Sequence, residues 1–315
     1  MHESEVLIVD IPDQYYDKLV ESIVRYSIIS LPFTIDRMNQ IGKYGIVKGN
    51  KKRISNIFKG KLAESLFKFF CEQNNLQVDF NTSATPFYQV DRRDFIYNGT
   101  EYDIKNNFIY HSGELYKAYT HLPALIPNRH QADQWSSRLK PHFKGFQVGY
   151  IFSFLKGADF INGDRGDPFY QLKLNKEQGD FLHQLYLQYR GKSQKDIPFS
   201  EEWFWNTMAS KGDLDFFSLR FRPKLIITGV SHADNWHLFR DVGPYSQNNY
   251  QNDPIENWYA KVGRNNSVKF LRGEIWATIT NKTAPVSILP SIKNVFNNLN
   301  GDIKFGRFKA SMKSE

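Results

Sequence analysis

Between residues 91 and 107 the chain reads DRRDFIYNGTEYDIKNN. Asp91, Asp94, Glu101 and Asp103 place four carboxylates in this stretch, and Lys105 stands two positions after the last of them. Carboxylates gathered at one point repel each other unless a cation lies between them. Mg²⁺ is a fitting cation, because it takes one or two carboxylates and fills its remaining positions with phosphate oxygens and water. A lysine beside such a group can orient a water, or help lower its pKa, for attack on phosphorus. The chemistry within reach is hydrolysis of a phosphate ester.

That chemistry needs elements that bring the side chains together. Asn98-Gly99 is a strong hairpin signal, since both residues of the tight turn need positive φ. Asp94-Phe95-Ile96-Tyr97 leads into the turn and Glu101-Tyr102-Asp103-Ile104-Lys105 returns from it. Side chains alternate faces along a strand, so Tyr102 and Ile104 are expected in the core and Glu101, Asp103 and Lys105 on the other face. Asp94 lies across the hairpin from the 103–105 end, so Asp94, Asp103 and Lys105 are expected to converge where the sheet opens.

Upstream, SNIFKGKLAESLFKFFCEQN predicts a helix over about residues 55–74 with Ser55 as its N-cap. Ile57, Phe58, Leu62, Leu66, Phe69 and Phe70 form its apolar face. Lys61, Glu64, Lys68 and Cys71 form a separate stripe at three- and four-residue spacing. The stretch before it, KYGIVKGNKKR, reads as a basic, glycine-containing connection over residues 43–53. Residues 11–29 and 175–190 read as helices, and residues 129–139 as a short helix among prolines. FQVGYIFSFL, residues 146–155, reads as a strand buried on both faces. Strand-like runs follow from residue 214.

The composite resembles the PD-(D/E)XK nuclease superfamily, and within it the type II restriction endonucleases. Their pattern is an acidic residue on a helix, an Asp opening a hairpin, then Asp/Glu-X-Lys on the next strand. Here these are Glu64 in "GKLAE", Asp94 in "DFIYNG", and Asp103 and Lys105 in "YDIKNN". The likeness covers about residues 55–155. It departs from the family at the Pro-Asp that names it, and Asp91 competes for the first acidic position. Asp94 is preferred because a strand follows it directly and its distance from the turn matches that of Asp103. The resemblance implies an α/β fold, with a restriction-endonuclease-like mixed sheet flanked by helices and a β-rich C-terminal region. It also implies a Mg²⁺-dependent endonuclease leaving 5′-phosphates. Asp94 and Asp103 would bind the metal, Glu64 would support a metal or its water shell, and Lys105 would position the attacking water.

The net charge of +8 and a pI of about 9.2 suit a polyanionic partner, double-stranded DNA by the resemblance. Lys51, Lys52 and Arg53 are candidates to grip phosphates. Arg220, Arg222, Asn235, Arg264 and Arg272, in a region rich in tryptophan, are candidates to read DNA. Most of those tryptophans are expected in the core. His232 and His237 of SHADNWH are not at the i, i+4 spacing of a helical metal pair. A soft boundary near residue 200 would divide a nuclease core, residues 1–200, from a recognition region, residues 201–315, unless the whole is one elaborated domain. A homodimer would match a palindromic target. The lone cysteine, Cys71, excludes an internal disulfide and is expected to be buried in its helix. No signal peptide or membrane span is expected, and the location expected is cytoplasmic. Two other readings stay open. One is a nuclease of the same fold acting in repair or phage defence on DNA structure. The other is a non-catalytic, basic nucleic-acid-binding protein whose acidic hairpin is structural.

Overall fold

A computed structural model describes residues 1–10, 13–34, 41–89, 93–109, 119–127, 148–156, 170–189, 194–215, 217–219, 222–232, 235, 238–242, 261–262, 268–269, 275–277, 281–296 and 306–308. In chain order the regular elements begin with β1 (Leu7–Val9), α1 (Asp13–Ile29), α2 (Ile41–Tyr44) and α3 (Ile46–Gln73). The hairpin β2 (Phe95–Tyr97) and β3 (Thr100–Ile109) comes next, then β4 (Pro123–Pro127), β5 (Val148–Lys156) and β6 (Tyr170–Leu172). After α4 (Lys176–Tyr189) and α5 (Glu201–Ser210) come β7 (Phe217–Leu219), β8 (Lys224–Ser231) and β9 (Arg240–Val242). The last are β10 (Lys261–Val262), β11 (Val268–Lys269), β12 (Ile275–Ala277), β13 (Asn281–Pro285) and β14 (Gly306–Phe308).

The fold is mixed α/β. Its main sheet has six strands in the order β14-β1-β8-β5-β3-β2, drawn from both sides of residue 200. The sheet is mixed: β3 and β5 run parallel, and every other neighbouring pair is antiparallel. Helices cover one face. There α1 and α3 contribute Val20, Ile23, Val24, Phe58, Leu62 and Phe67 to a core shared with Ile151, Leu155, Leu225 and Ile227. The other face is closed by the three-stranded sheet β4-β13-β9, whose Ala124, Ile126 and Ala284 pack with Tyr150, Phe152 and Phe154. Among the described residues no helix is long and apolar enough to cross a membrane.

The helix carrying Glu64 starts nine residues earlier than the sequence predicts and includes most of the expected basic connection. Gly45, at φ +78°, breaks the chain between α2 and α3. Ser55 is therefore a buried residue inside α3, not a cap. The early turns hold because they pack. Asn50 Nδ2 donates to the Gly179 carbonyl on α4 at 2.8 Å in a buried setting, and a Cβ on Gly179 would come within 2.9 Å of Val47. The close approach outweighs the low helix propensity of Gly49. The helix ends in a Schellman motif. Asn75 takes φ +55°, Leu76 N–H donates to Cys71 O at 2.9 Å, and Asn75 N–H donates to Glu72 O at 3.2 Å. Of the expected apolar face, Ile57 and Phe69 are half-buried, and Phe67 is buried in their place. Cys71 is buried, as expected.

The hairpin forms as predicted, with Asn98 at φ +46° and Gly99 at φ +73° and the register Phe95↔Tyr102, Ile96↔Glu101, Tyr97↔Thr100. In β5, Tyr150 to Leu155 are all buried, so it is an interior strand with both faces covered. The expected helix over residues 129–139 lies outside the described residues.

Candidate active site

Glu64, Asp94 and Asp103 reach one place from three elements. All three line a cavity of about 270 Å³ between α3, the end of α1 and the hairpin. The site forms where β2 stops. Pairing between the two hairpin strands ends at Phe95↔Tyr102, and β3 continues past it. Asp94 takes over the exposed edge. Its N–H donates to Tyr102 O at 2.9 Å, and its Oδ2 accepts the Ile104 N–H at 2.5 Å. The carboxylate of Asp94 thus lies against the peptide that joins Asp103 to Ile104. With the edge open, both Asp103 and Ile104 line the cavity, although they start from opposite faces of β3.

Lys105 joins through Asp103. Its Nζ donates to Asp103 Oδ2 at 2.5 Å, with both side chains largely buried, and it sits 5.4 Å from the centre of the Tyr150 ring. Tyr150 belongs to the core on the far side of the sheet from α3. Lys105 therefore approaches Asp103 from the face opposite the helices and does not line the cavity. Glu64 is held from within its own helix by Lys61, Nζ to Oε2 at 2.5 Å, and Lys61 also lies 5.6 Å from the ring centre of Tyr26. Glu101 pairs with Arg93 at 2.6 Å and stays outside the cavity.

A second group fixes β3 from behind. Tyr102 stacks on Phe95 with ring centres 4.9 Å apart and planes within 6°. Its hydroxyl is hydrogen-bonded to His232 Nε2 at 2.8 Å. Burial pushes the Tyr102 phenol up to about 12. Gly149, the partner of Tyr102 on β5, makes room for the ring: a Cβ there would stand 2.2 Å from a ring carbon. His232 is held in turn, because its N–H donates to Asn235 Oδ1 at 3.0 Å and its carbonyl accepts the Asn235 N–H at 2.9 Å. No sequence motif marks this lock, which pairs residues 130 positions apart.

The other sequence-predicted residues scatter. Lys51, Lys52 and Arg53 share α3 but not a face: Arg53 lines the site cavity, Lys52 is exposed, and Lys51 lines a separate cavity with Gln171 and Asp215. Arg222 pairs with Asp17 at 3.1 Å and lies over the Tyr16 ring, away from the hairpin. Asn235 is engaged with His232 as described. Trp203 is exposed on α5 and Trp205 is half-buried beside Arg25, so neither is a fully buried core tryptophan. Asp91, Arg220, His237, Arg264 and Arg272 lie outside the described residues.

The donor set fits a hard divalent cation in type, since Asp94, Asp103 and Glu64 offer only carboxylate oxygens. Among the described residues no three His, Cys, Asp or Glu side chains draw close enough to hold an ion by themselves. Two carboxylates against one peptide, completed by substrate oxygens and water, is the arrangement Mg²⁺ commonly accepts. Comparison of the chain with protein-family models, with curated proteins and with solved structures finds no match.

Proposed function

We propose that the protein is a Mg²⁺-dependent DNA endonuclease of restriction-endonuclease-like fold. The observation that carries this reading is the convergence of Glu64, Asp94 and Asp103 on one cavity, with Lys105 bonded to Asp103. In this reading Asp94 and Asp103 would hold the ion, and Glu64 would support it or its water shell. Bound there, Mg²⁺ stabilises the charge that builds on the phosphate. Lys105, which does not line the cavity in this structure, would turn from Asp103 toward it to hold the attacking water by a hydrogen bond. As the water oxygen attacks phosphorus its proton passes to solvent, the bond to the 3′-oxygen breaks, and that oxygen takes a proton from solvent to leave as a 3′-hydroxyl, with the 5′-phosphate on the other fragment. The Tyr102–His232 lock keeps the 102–104 backbone fixed while this happens. The net charge of +8 supports a polyanionic substrate. A type II restriction enzyme acting as a homodimer on a two-fold target is the form we propose.

One observation favours a non-catalytic reading. Each carboxylate is already engaged within the fold, Asp94 by the Ile104 N–H, Asp103 by Lys105, and Glu64 by Lys61. The deciding experiment incubates unmethylated phage DNA with the protein in Mg²⁺ or EDTA and maps the ends. The endonuclease reading expects discrete fragments with 5′-phosphates in Mg²⁺ alone. Intact DNA in both lanes, on modified and unmodified substrates, leaves the binding-protein reading.

A further inference from the structure

Gly60 sits in the middle of α3, where glycine is the poorest helix former after proline. Its surroundings in the fold do not call for it. The residue is exposed, it is not among the glycines at positive φ, and an added Cβ would meet nothing within 4 Å. Gly179, by contrast, is required by its contact with Val47. A helical glycine that neither turns the chain nor packs is explained by something that comes against the bare backbone from outside. Gly60 also stands on the rim of the site cavity, which it lines together with Asn56 while both stay exposed.

The rim continues along α3. Lys48, Lys52, Asn56 and Gly60 lie at four-residue intervals and are all exposed, while Ile54, Phe58 and Leu62 beside them are buried. Rows at this interval form the ridges of a helix surface, and this one runs about 18 Å. The next residue of the row is Glu64, inside the cavity. The ridge carries one sign of charge. Between Asp36 and Glu64 the chain has no Asp or Glu, and among the described residues Lys48 and Lys52 are paired with no carboxylate. Lysines one turn apart on an open ridge suit the regularly spaced phosphates of a nucleic acid, and the amide of Asn56 can donate to phosphate oxygens beside them. We infer that this ridge carries one strand of a DNA duplex to the site. Lys48 and Lys52 hold phosphates on one side of the bond to be cut, and Gly60 lets the sugar–phosphate backbone press against the helix as it enters the cavity. A cation at Asp94 and Asp103 offsets the repulsion these carboxylates exert on the incoming phosphate. The inference rests on the endonuclease reading and names the surface through which that site receives DNA.

The test measures binding of a labelled random-sequence duplex to the full chain by fluorescence anisotropy across a salt series. Ca²⁺ replaces Mg²⁺, so that a hard cation faces the carboxylates. The variants are a Lys48→Gln, Lys52→Gln double substitution, Gly60→Ala and Gly60→Leu, and thermal melts confirm that each is folded. Lys18→Gln is the control, an exposed lysine on the first turns of α1, which lie by the opposite end of α3. Each phosphate neutralised contributes about 0.9 to the slope of log K against log salt concentration. The double variant is expected to lose about 1.8 of that slope and about tenfold or more in affinity, and Lys18→Gln neither. Gly60→Leu is expected to melt no lower than wild type yet to bind about tenfold more weakly, with Gly60→Ala closer to wild type. Any of three results overturns the inference: no duplex binding by folded wild type, a slope unchanged in the double variant or lost equally in Lys18→Gln, or wild-type affinity in folded Gly60→Leu. Cleavage in Mg²⁺ is scored separately. Ridge-dependent binding without cleavage would sink the nuclease reading and keep the ridge. Cleavage with an unchanged salt slope would do the reverse.

Discussion

β3 and β5 lie side by side, parallel and in unbroken register from Glu101↔Val148 to Ile109↔Lys156. Their side chains differ sharply. β5 fills its middle with Tyr150, Ile151, Phe152, Phe154 and Leu155, all buried. At the matching positions β3 carries Asp103, Ile104, Lys105, Asn107 and Phe108, all half-buried. A strand beside the central one, in a sheet covered on both faces, gains most from apolar side chains. Ion pairs at partly buried positions contribute little to stability, ~0–1 kcal/mol for exposed pairs and often nothing net once burial is counted. The polar stretch of β3 is thus poorly explained by folding, whereas β5 is fully explained by it. Neighbouring strands of one sheet can answer to different demands.

Breaking the packed strand has the largest expected effect. Phe152→Ala removes a fully buried ring from the core shared by β5 and β4. It is expected to lower unfolding free energy by about 3–5 kcal/mol in urea titrations. The polar strand answers mainly in activity. Lys105→Ala is expected to lower the Mg²⁺-dependent cleavage rate about 10²- to 10³-fold, while stability falls by about 1–3 kcal/mol because the largely buried Asp103 loses its partner. Gly149→Ala tests the seam between the two strands, because its Cβ would collide with the Tyr102 ring. A loss of about 1–3 kcal/mol is expected, together with slower cleavage as β3 shifts. Tyr102→Phe is the mildest change, costing about 1 kcal/mol for the lost bond to His232. It also has a pH signature. The folded chain keeps the Tyr102 proton up to about pH 12, whereas an ordinary tyrosine loses it near 10.0. Between those values the unfolded chain has released a proton that the folded chain retains, so stability falls as pH rises and is full below that window. Tyr119, also raised to about 12 by burial, adds to the slope. Tyr102→Phe should flatten part of the alkaline slope and leave the part due to Tyr119.

The site is more legible in the sequence than its support. Asn98-Gly99 fixes the hairpin through local backbone chemistry, and the distances of Asp94 and Asp103 from the turn place them together. The continuous apolar run of β5 announces a buried strand. What local pattern does not show is tertiary. Gly45 and Gly49 read as a loop, yet Gly45 supplies the break and Gly49 is carried into α3 by packing against α4. Arg53 reads as part of a surface basic run, but three successive helical residues point about 100° apart, and only Arg53 lines the site cavity. Trp203 and Trp205 sit on α5, an element unread because its Ser200 cap leads into an aromatic run; Ser200 Oγ accepts the Trp203 N–H at 3.1 Å. The Tyr102–His232 bond joins distant segments, and Gly149 becomes informative only once its neighbour on β3 is known.

If the charges of β3 serve chemistry rather than folding, removing one should separate activity from stability. The most direct test is the rate of DNA cleavage in Mg²⁺ by Asp103→Asn, measured at a urea-verified folded fraction equal to that of wild type. Loss of cleavage by about 10³-fold or more is predicted, with the unfolding midpoint unchanged or raised. Cleavage at the wild-type rate by the folded variant, or a variant that loses stability in step with activity, would contradict a chemical role for the strand.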